Sequence, residues 1–195
     1  VDFHEQGMNS PYYFAPAAEP YHEVITDFQR DFQKEIGRNH ARYFDQNGWL
    51  YFTREVFDLF YPSYGDTYPT YNGAIGMTYE QGGGGVAGLG VITRTGDTLT
   101  LKDRIAHHLT TGLSTVEVAA GNAGALTDAF RQYYGQPRNH KFKSYVLQGE
   151  PDRLAALTAL LSKHNIRYGT ARTGTARGFR YSTQANGSMP LDNST

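Results

Sequence analysis

The spacing of apolar and polar residues changes several times along the chain, and each change predicts an element. Val1-Asp2-Phe3-His4 alternates and reads as the end of a strand. Glu5 to Tyr21 holds Gly7, Asn9, Ser10, Pro11, Pro16 and Pro20, the composition of a long loop. From Tyr21, Ile25, Phe28, Phe32 and Ile36 recur at helical spacing, with Gly37 placed as a C-terminal cap. Gly48 to Phe52 fits a short strand or an ordered aromatic loop, and Thr53 reads as the N-cap of a short helix through Phe60. After the turn-rich stretch Tyr61 to Gly73, the run Ala74 to Tyr79 fits a buried strand ending in Glu80. Val86 to Ile92 is a further strand or a mobile loop.

The strongest signal lies between Leu99 and Ala120. Leu101, Ile105, Leu109, Leu113 and Val116 form one apolar helical stripe, the side expected to face a core. A second helix, Ala123 to Tyr134, stops at Gly135 with Pro137 beyond, which marks a domain boundary. Past it, Tyr145 to Leu147, a helix over Pro151 to His164, and Ile166 to Tyr168 read as a β-α-β unit with parallel strands. The tail from Gly169 is polar and lacks apolar periodicity. The expected fold is therefore α/β, a mixed sheet flanked by helices over 1–135, followed by a second, C-terminal α/β domain over 136–195.

Composition narrows the function. The 18 Lys+Arg and 19 Asp+Glu give a formal net charge of -1, against a basic nucleic-acid-binding surface. There is no cysteine, hence no disulfide framework and no thiolate metal site, and no apolar run of membrane-spanning length. The 22 glycines and 15 tyrosines favour tight loops and an aromatic cleft.

Several residues are candidates for chemistry. His4 closes a strand and opens a loop, a suitable place for a metal ligand, but Met8 stands where a helical His-Glu-x-x-His motif would need its second histidine. Glu80 leaves an apolar strand for the glycine run Gly82 to Gly85, so its carboxylate needs a solvated cleft or a partner. That run lacks a following Lys-Ser/Thr and a helix, which makes it a loop rather than a phosphate cradle. His107 and His108 are neighbours on the long helix, about 100° apart, so they do not share a metal. His107 is expected at the surface and His108 beside the stripe, both structural. His22, His40, His140 and His164 have no partner at ligand spacing. Tyr61, Tyr64, Tyr68, Tyr71 and Tyr79 cluster ahead of Glu80.

Taken in order, Asp2-Phe3-His4, a helix, a tyrosine-bearing loop, Asn72-Gly73, Met77-Thr78-Tyr79-Glu80 and a long helix resemble the zinc carboxypeptidases of the carboxypeptidase A-like family, bacterial type. The resemblance covers roughly residues 1 to 120. It implies that His4, in an Asp-x-His pattern, is a zinc ligand. It implies that Glu80, where Met77-Thr78-Tyr79-Glu80 matches the family's aromatic-Thr-aromatic-Glu pattern, is the general base. Tyr61, or alternatively Tyr64, would close over a peptide substrate whose C-terminal residue is removed.

In that family the other two zinc ligands come from an upstream His-x-x-Glu, and substrate-binding arginines also lie upstream. None of the seven histidines here has Glu three residues later. The resemblance thus implies the C-terminal half of a catalytic domain whose N-terminal half is missing, inactive by itself and holding zinc weakly. It also implies an exported protein, periplasmic or extracellular. The alternative is a non-catalytic relative that binds peptide or glycan through the tyrosine-rich cleft. In the catalytic reading, His4 and Glu80 belong on one face, within about 4–8 Å, the span of two hydrogen bonds of ~3 Å through a water.

Overall fold

The computed structural model describes residues 1–135, 144–170, 180–181 and 191–192. They fall into two compact units, Val1–Pro137 and Arg138–Thr195.

The first unit is built on strands β1 (Asp2–Gln6), β2 (Tyr12–Tyr13), β3 (Tyr51–Phe52) and β4 (Thr78–Gly82), with helices α1 (Asp27–Asn47) and α2 (Thr67–Tyr71) between them. A hairpin of β5 (Gly90–Ile92) and β6 (Thr98–Thr100) leads into α3 (Leu101–Gly121), and α4 (Ala123–Gly135) follows. The main sheet runs β1-β4-β2-β3 and is mixed: β1 pairs parallel to β4, β2 antiparallel to β4, and β2 parallel to β3. The α/β class with a mixed sheet is as the sequence led us to expect.

Helix α1 starts six residues later than the apolar spacing indicates and runs through Gly37. Thr26 is the N-cap, in a capping box with Gln29, and Gly48 ends the helix in the left-handed conformation at φ 68°. Gly37 is there for a different reason. A Cβ on it would overlap the Ala15 carbonyl, so it is the point where the long N-terminal loop crosses the helix. Gln29 also reaches away from the cap, its Nε2 donating to the carbonyls of Thr70 and Ala74 at 2.7 Å each, while Gln33 Nε2 donates to the Gly76 carbonyl at 3.0 Å.

The helix expected from Thr53 to Phe60 does not form. Arg54 and Val56 take left-handed φ of 63° and 66°, which no helix continues through. The segment instead bonds to the loop beside it, Arg54 N–H to the Pro16 carbonyl at 2.9 Å and Ala18 N–H to the Phe57 carbonyl at 2.7 Å. The turn-rich stretch before β4 contains the one-turn helix α2. Strand β4 begins later and extends further than the apolar run Ala74 to Tyr79, because Gln81 and Gly82 continue the ladder opposite Glu5 and Gln6.

Alternation along the strands separates two faces. One carries Phe3, Tyr79 and Tyr12, and α1 and α3 cover it: Tyr79 meets the His40 ring edge-on, and Phe3 meets His108. The core there is Tyr12, Phe14, Phe32, Ile36, Phe44, Met77 and Tyr79.

Helix α3 contradicts the expected burial. Its stripe of Leu101, Ile105, Leu109, Leu113 and Val116 is 38–64% exposed, while Arg104, His107, Thr111 and Ser114 are buried. The cause lies in the surface it covers. Tyr12 and Tyr79 hydroxyls, the His40 ring and the Gln81 amide all face α3, and each needs a polar partner once dry. Tyr12 Oη pairs with His108 Nδ1 at 2.7 Å and Thr111 Oγ1 at 2.9 Å, and Tyr79 Oη with Thr115 Oγ1 at 2.7 Å. His40 Nδ1 pairs with Ser114 Oγ at 2.7 Å, and His107 Nδ1 with Gln81 Oε1 at 2.7 Å. His107, expected at the surface, is therefore one of the buried side chains.

The second unit contains helix α5 (Pro151–Lys163), close to the expected bounds, and a pair of antiparallel strands, β7 (Arg180–Tyr181) and β8 (Leu191–Asp192). The β-α-β unit is not formed: residues 144–148 and 165–168 are not strands. Tyr145, Val146, Leu147, Ile166 and Tyr168 are all exposed, so the apolar character of these short runs is not matched by a sheet to bury it. Most of the polar tail lies outside the described residues.

Candidate active site on the β1–β4 face

The second sheet face carries the sequence-derived candidates. In the parallel ladder His4 stands directly opposite Glu80, so both side chains leave the same face. His4 Nδ1 lies 3.7 Å from Glu80 Oε1, slightly closer than the span of about 4–8 Å expected for two groups joined through a water. Glu80 is not at a strand end. It sits in the middle of β4, opposite both His4 on β1 and Tyr13 on β2.

The two side chains differ in exposure. His4 is 57% exposed and faces solvent, whereas Glu80 is only 7% exposed. Glu80 Oε2 is buried and has no hydrogen-bond partner. Burial raises the Glu80 pKa above the ordinary carboxylate value. His4 opposes that rise, and the carboxylates of Asp2 and Asp66 add to it. A carboxylate in this setting holds a proton more readily than a solvated one, as proton transfer near neutral pH requires.

Two acids complete the surroundings, and neither was singled out from the sequence. Asp2 shares the face of β1 with His4, its Oδ1 3.2 Å from His4 Nε2. Asp66 directly precedes α2, and its two oxygens accept from Thr67 Oγ1 at 3.1 Å and Thr78 Oγ1 at 2.8 Å. The signal for Asp2 was present, because residues two apart on a strand share a side. Asp66, in a turn twelve residues from Thr78, has no such local signal.

Tyr61 and Tyr64 lie in the loop that leads to α2. Both are largely exposed, with rings 5.1 Å apart in an edge-to-face pair. Tyr68 is exposed as well, but Tyr71 donates to the Leu59 carbonyl at 3.1 Å and Tyr79 is core. The tyrosine cluster of the sequence thus splits into an outer set and an inner one. Gly65 follows Tyr64 directly and abuts Asp2, where a Cβ would overlap Oδ2. The tyrosine-bearing loop therefore closes onto β1 beside His4.

The donor set fits part of a zinc centre. His4 offers an exposed imidazole with one nitrogen directed at Glu80, and Glu80 has an unpartnered oxygen. Among the described residues, however, no group of three or more His, Cys, Asp or Glu side chains is placed to hold a metal ion. Glu5 lies on the opposite sheet face, against Arg104 at 3.4 Å, while His40 and His107 are enclosed in the core. The glycine run leads into a loop in which the amides of Gly83 and Gly84 donate to the Gln6 carbonyl at 3.0 and 2.9 Å, and the next element is strand β5, not a helix. Among the described residues no helix is long and apolar enough to cross a membrane. No family model, no curated protein and no solved structure matches the chain.

Proposed function

We propose that the chain is part of the catalytic domain of a zinc carboxypeptidase, hydrolysing the last peptide bond of a peptide substrate. The observation that carries this reading is the pair His4 and Glu80, one exposed and one buried, facing each other at 3.7 Å from adjacent parallel strands. His4 Nδ1 is the nitrogen available for zinc, and bound zinc would acidify a water and polarise the scissile carbonyl. Glu80, raised in pKa, takes a proton from the water and carries it to the leaving amine. Tyr61, or Tyr64 beside it, closes over the peptide and hydrogen-bonds it.

The remaining zinc ligands and the arginines that hold the substrate carboxylate belong, in this reading, to an N-terminal half absent from the chain. Two features of the first unit support that. Among the described residues strand β1 is an edge of its sheet, and the apolar stripe of α3 is exposed on the side of Phe3. A cavity of about 430 Å³ lies between them, lined by Phe3, Glu5, Leu101, Arg104, Ile105 and His108 among others. Further structure placed against β1 would cover all three. The protein would be exported, to a periplasm or the extracellular space. Within the chain alone, zinc would be held weakly and peptidase activity would be absent.

The test is a protein that includes the upstream half. With Glu80→Gln, zinc content should be unchanged and kcat should fall by about 10²–10⁴. Retained activity would remove Glu80 from the chemistry and with it this reading. One observation favours a second reading. Phe60, Tyr61, Tyr64 and Tyr68 are all exposed, an aromatic surface suited to binding a peptide or glycan without cleaving it. Saturable binding of such a ligand, abolished by Tyr61→Ala with Tyr64→Ala and accompanied by no hydrolysis, would favour that alternative.

A further inference from the structure

Between Leu59 and Gly65 the chain crosses five residues, Phe60 to Tyr64, which expose the rings of Phe60, Tyr61 and Tyr64. Both ends of this span are fixed. Gly65 abuts Asp2, and Asp66 is held through Thr78. At the other end the Leu59 side chain is buried. The Tyr71 hydroxyl, at the end of α2, reaches back and shares its proton between the carbonyls of Leu59 at 3.1 Å and Phe60 at 3.0 Å. The His22 ring packs against both Phe60 and Tyr71, with centroids 5.4 and 5.3 Å away. Tyr71 is in turn held from α4. Tyr133 Oη donates to the Tyr71 carbonyl, and Tyr134 Oη donates to the Asn72 carbonyl at 2.8 Å. The Tyr133 ring lies over Gly73, where a Cβ would overlap it. Tyrosine hydroxyls thus act in series from α4 to the base of the loop that carries Tyr61 and Tyr64.

We propose that Tyr71 is the positioning residue of the Tyr61–Tyr64 loop: its hydroxyl latches the base of the loop at Leu59 and Phe60, and α4, through Tyr133 and Tyr134, holds the latch closed. That the loop closes over a peptide rests on the carboxypeptidase reading. The latch does not. Carbonyls in a surface loop ordinarily bond to water and leave the backbone many conformations. A side-chain donor that takes two of them in succession fixes the backbone there and leaves the aromatic tip in solvent. The hold is also releasable. Among the described residues of α4 none is fully buried, and the helix is attached by partial contacts, among them Leu126 against the core and the two tyrosine hydroxyls. An element held in this way opens more readily than the sheet beneath it. Whatever loosens α4 therefore loosens the placement of Tyr61 and Tyr64, which makes α4 the element through which the loop is regulated.

The experiment is hydrogen exchange of the 15N-labelled 195-residue chain at neutral pH, followed by NMR. It is read at the amides of Phe60, bonded to Asp58 Oδ1 at 2.8 Å, and Tyr64, bonded to the Tyr61 carbonyl at 3.3 Å. Tyr71→Phe removes only the hydroxyl and should speed exchange at both by about tenfold, the scale of a lost hydrogen bond. Tyr133→Phe combined with Tyr134→Phe leaves Tyr71 intact and should speed the same two amides by about threefold or more. Tyr79→Phe deletes a core hydroxyl bonded to Thr115 at 2.7 Å, away from the latch, and should leave them unchanged. Exchange that stays within about twofold in Tyr71→Phe overturns the proposal, as does an equal acceleration in Tyr79→Phe, the mark of general destabilisation. Unchanged exchange in the α4 double variant overturns it too, and that variant decides alone should Tyr71→Phe not fold. No peptide, metal or turnover enters the measurement, so its failure leaves the carboxypeptidase reading standing. Retained activity in Glu80→Gln would remove that reading and leave the latch.

Discussion

His40 Nδ1 lies 2.7 Å from Ser114 Oγ in the fully buried layer between α1 and α3, and its other nitrogen has no partner. Burial lowers the His40 pKa to about 3 and that of His107 to about 4, against 6.5 for a free imidazole. Both are neutral in the folded chain and protonate once it unfolds in mild acid. The unfolded state therefore binds more protons between those values and 6.5, and stability falls as pH falls through that window. From pH 7 to pH 5 each group should remove about 2 kcal/mol. His40→Asn should shrink the loss by about that amount, read from urea unfolding at the two pH values. The lowered carboxyls of Asp31, Asp103 and Glu117 act below this range.

Glu80 has the opposite sign. Its folded pKa is raised, so the folded state holds the proton longer and stability declines as pH rises from the ordinary carboxylate value through the raised one. The cost is complete above the raised value and absent below about 4.5. Glu80→Gln should therefore be more stable than the unaltered chain at pH 8, by about 1 kcal/mol, the scale of an unpartnered buried oxygen. At pH 4 the two should melt alike. A destabilised Glu80→Gln at pH 8 would mean that the charge is better compensated than its surroundings indicate.

Gly76 should tolerate no side chain. A Cβ would overlap the Asp66 carbonyl and the Thr70 hydroxyl, and its own N–H donates to Thr70 Oγ1 at 3.0 Å. Gly76→Ala should cost about 3 kcal/mol or more, seen as a lower urea midpoint with an unchanged slope. An effect below about 1 kcal/mol would show that the α2–β4 corner yields.

The two sides of α3 should respond in reverse of their hydrophobicity. Leu109→Glu or Leu113→Lys on the exposed stripe should change the stability of this chain by no more than about 0.5 kcal/mol and reduce any self-association seen by light scattering. Thr111→Val, on the inner side, should cost about 1 kcal/mol, because Tyr12 Oη loses a partner in a dry site.

That reversal also shows where sequence reading reached its limit. The span of α3 was legible to within two residues, because Thr100 and Asp103 form a capping box ahead of a periodic segment. Its orientation was not. Arg104, His107, Thr111, Ser114 and Val118 recur at helical spacing just as the leucines do, and which stripe turns inward depends on the hydroxyls and imidazoles of distant segments. His4 and Glu80 were identifiable because each belongs to a local pattern, and the parallel register of β1 and β4 joins two patterns 76 residues apart. Asp66 and the Gly65 contact arise only from the folding of a loop onto a strand. The second unit marks the opposite error: Tyr145 to Leu147 and Ile166 to Tyr168 have strand-forming side chains, but strand formation needs a neighbour to hydrogen-bond, which composition does not report.

Gln29 gives the start of α1 an unusual property. Helix termini ordinarily fray, one turn at a time, independently of the rest of the molecule. Here the side chain that closes the capping box also holds the carbonyls of Thr70 and Ala74, and Gln33 one turn later holds that of Gly76. The first turn cannot open without releasing the corner that aims β4, and the corner cannot move without uncapping the helix. Amide protons at the start of α1 and in β4 should therefore exchange with solvent in a single concerted opening, and the position of Glu80 is as durable as the end of a helix more than thirty residues away in sequence.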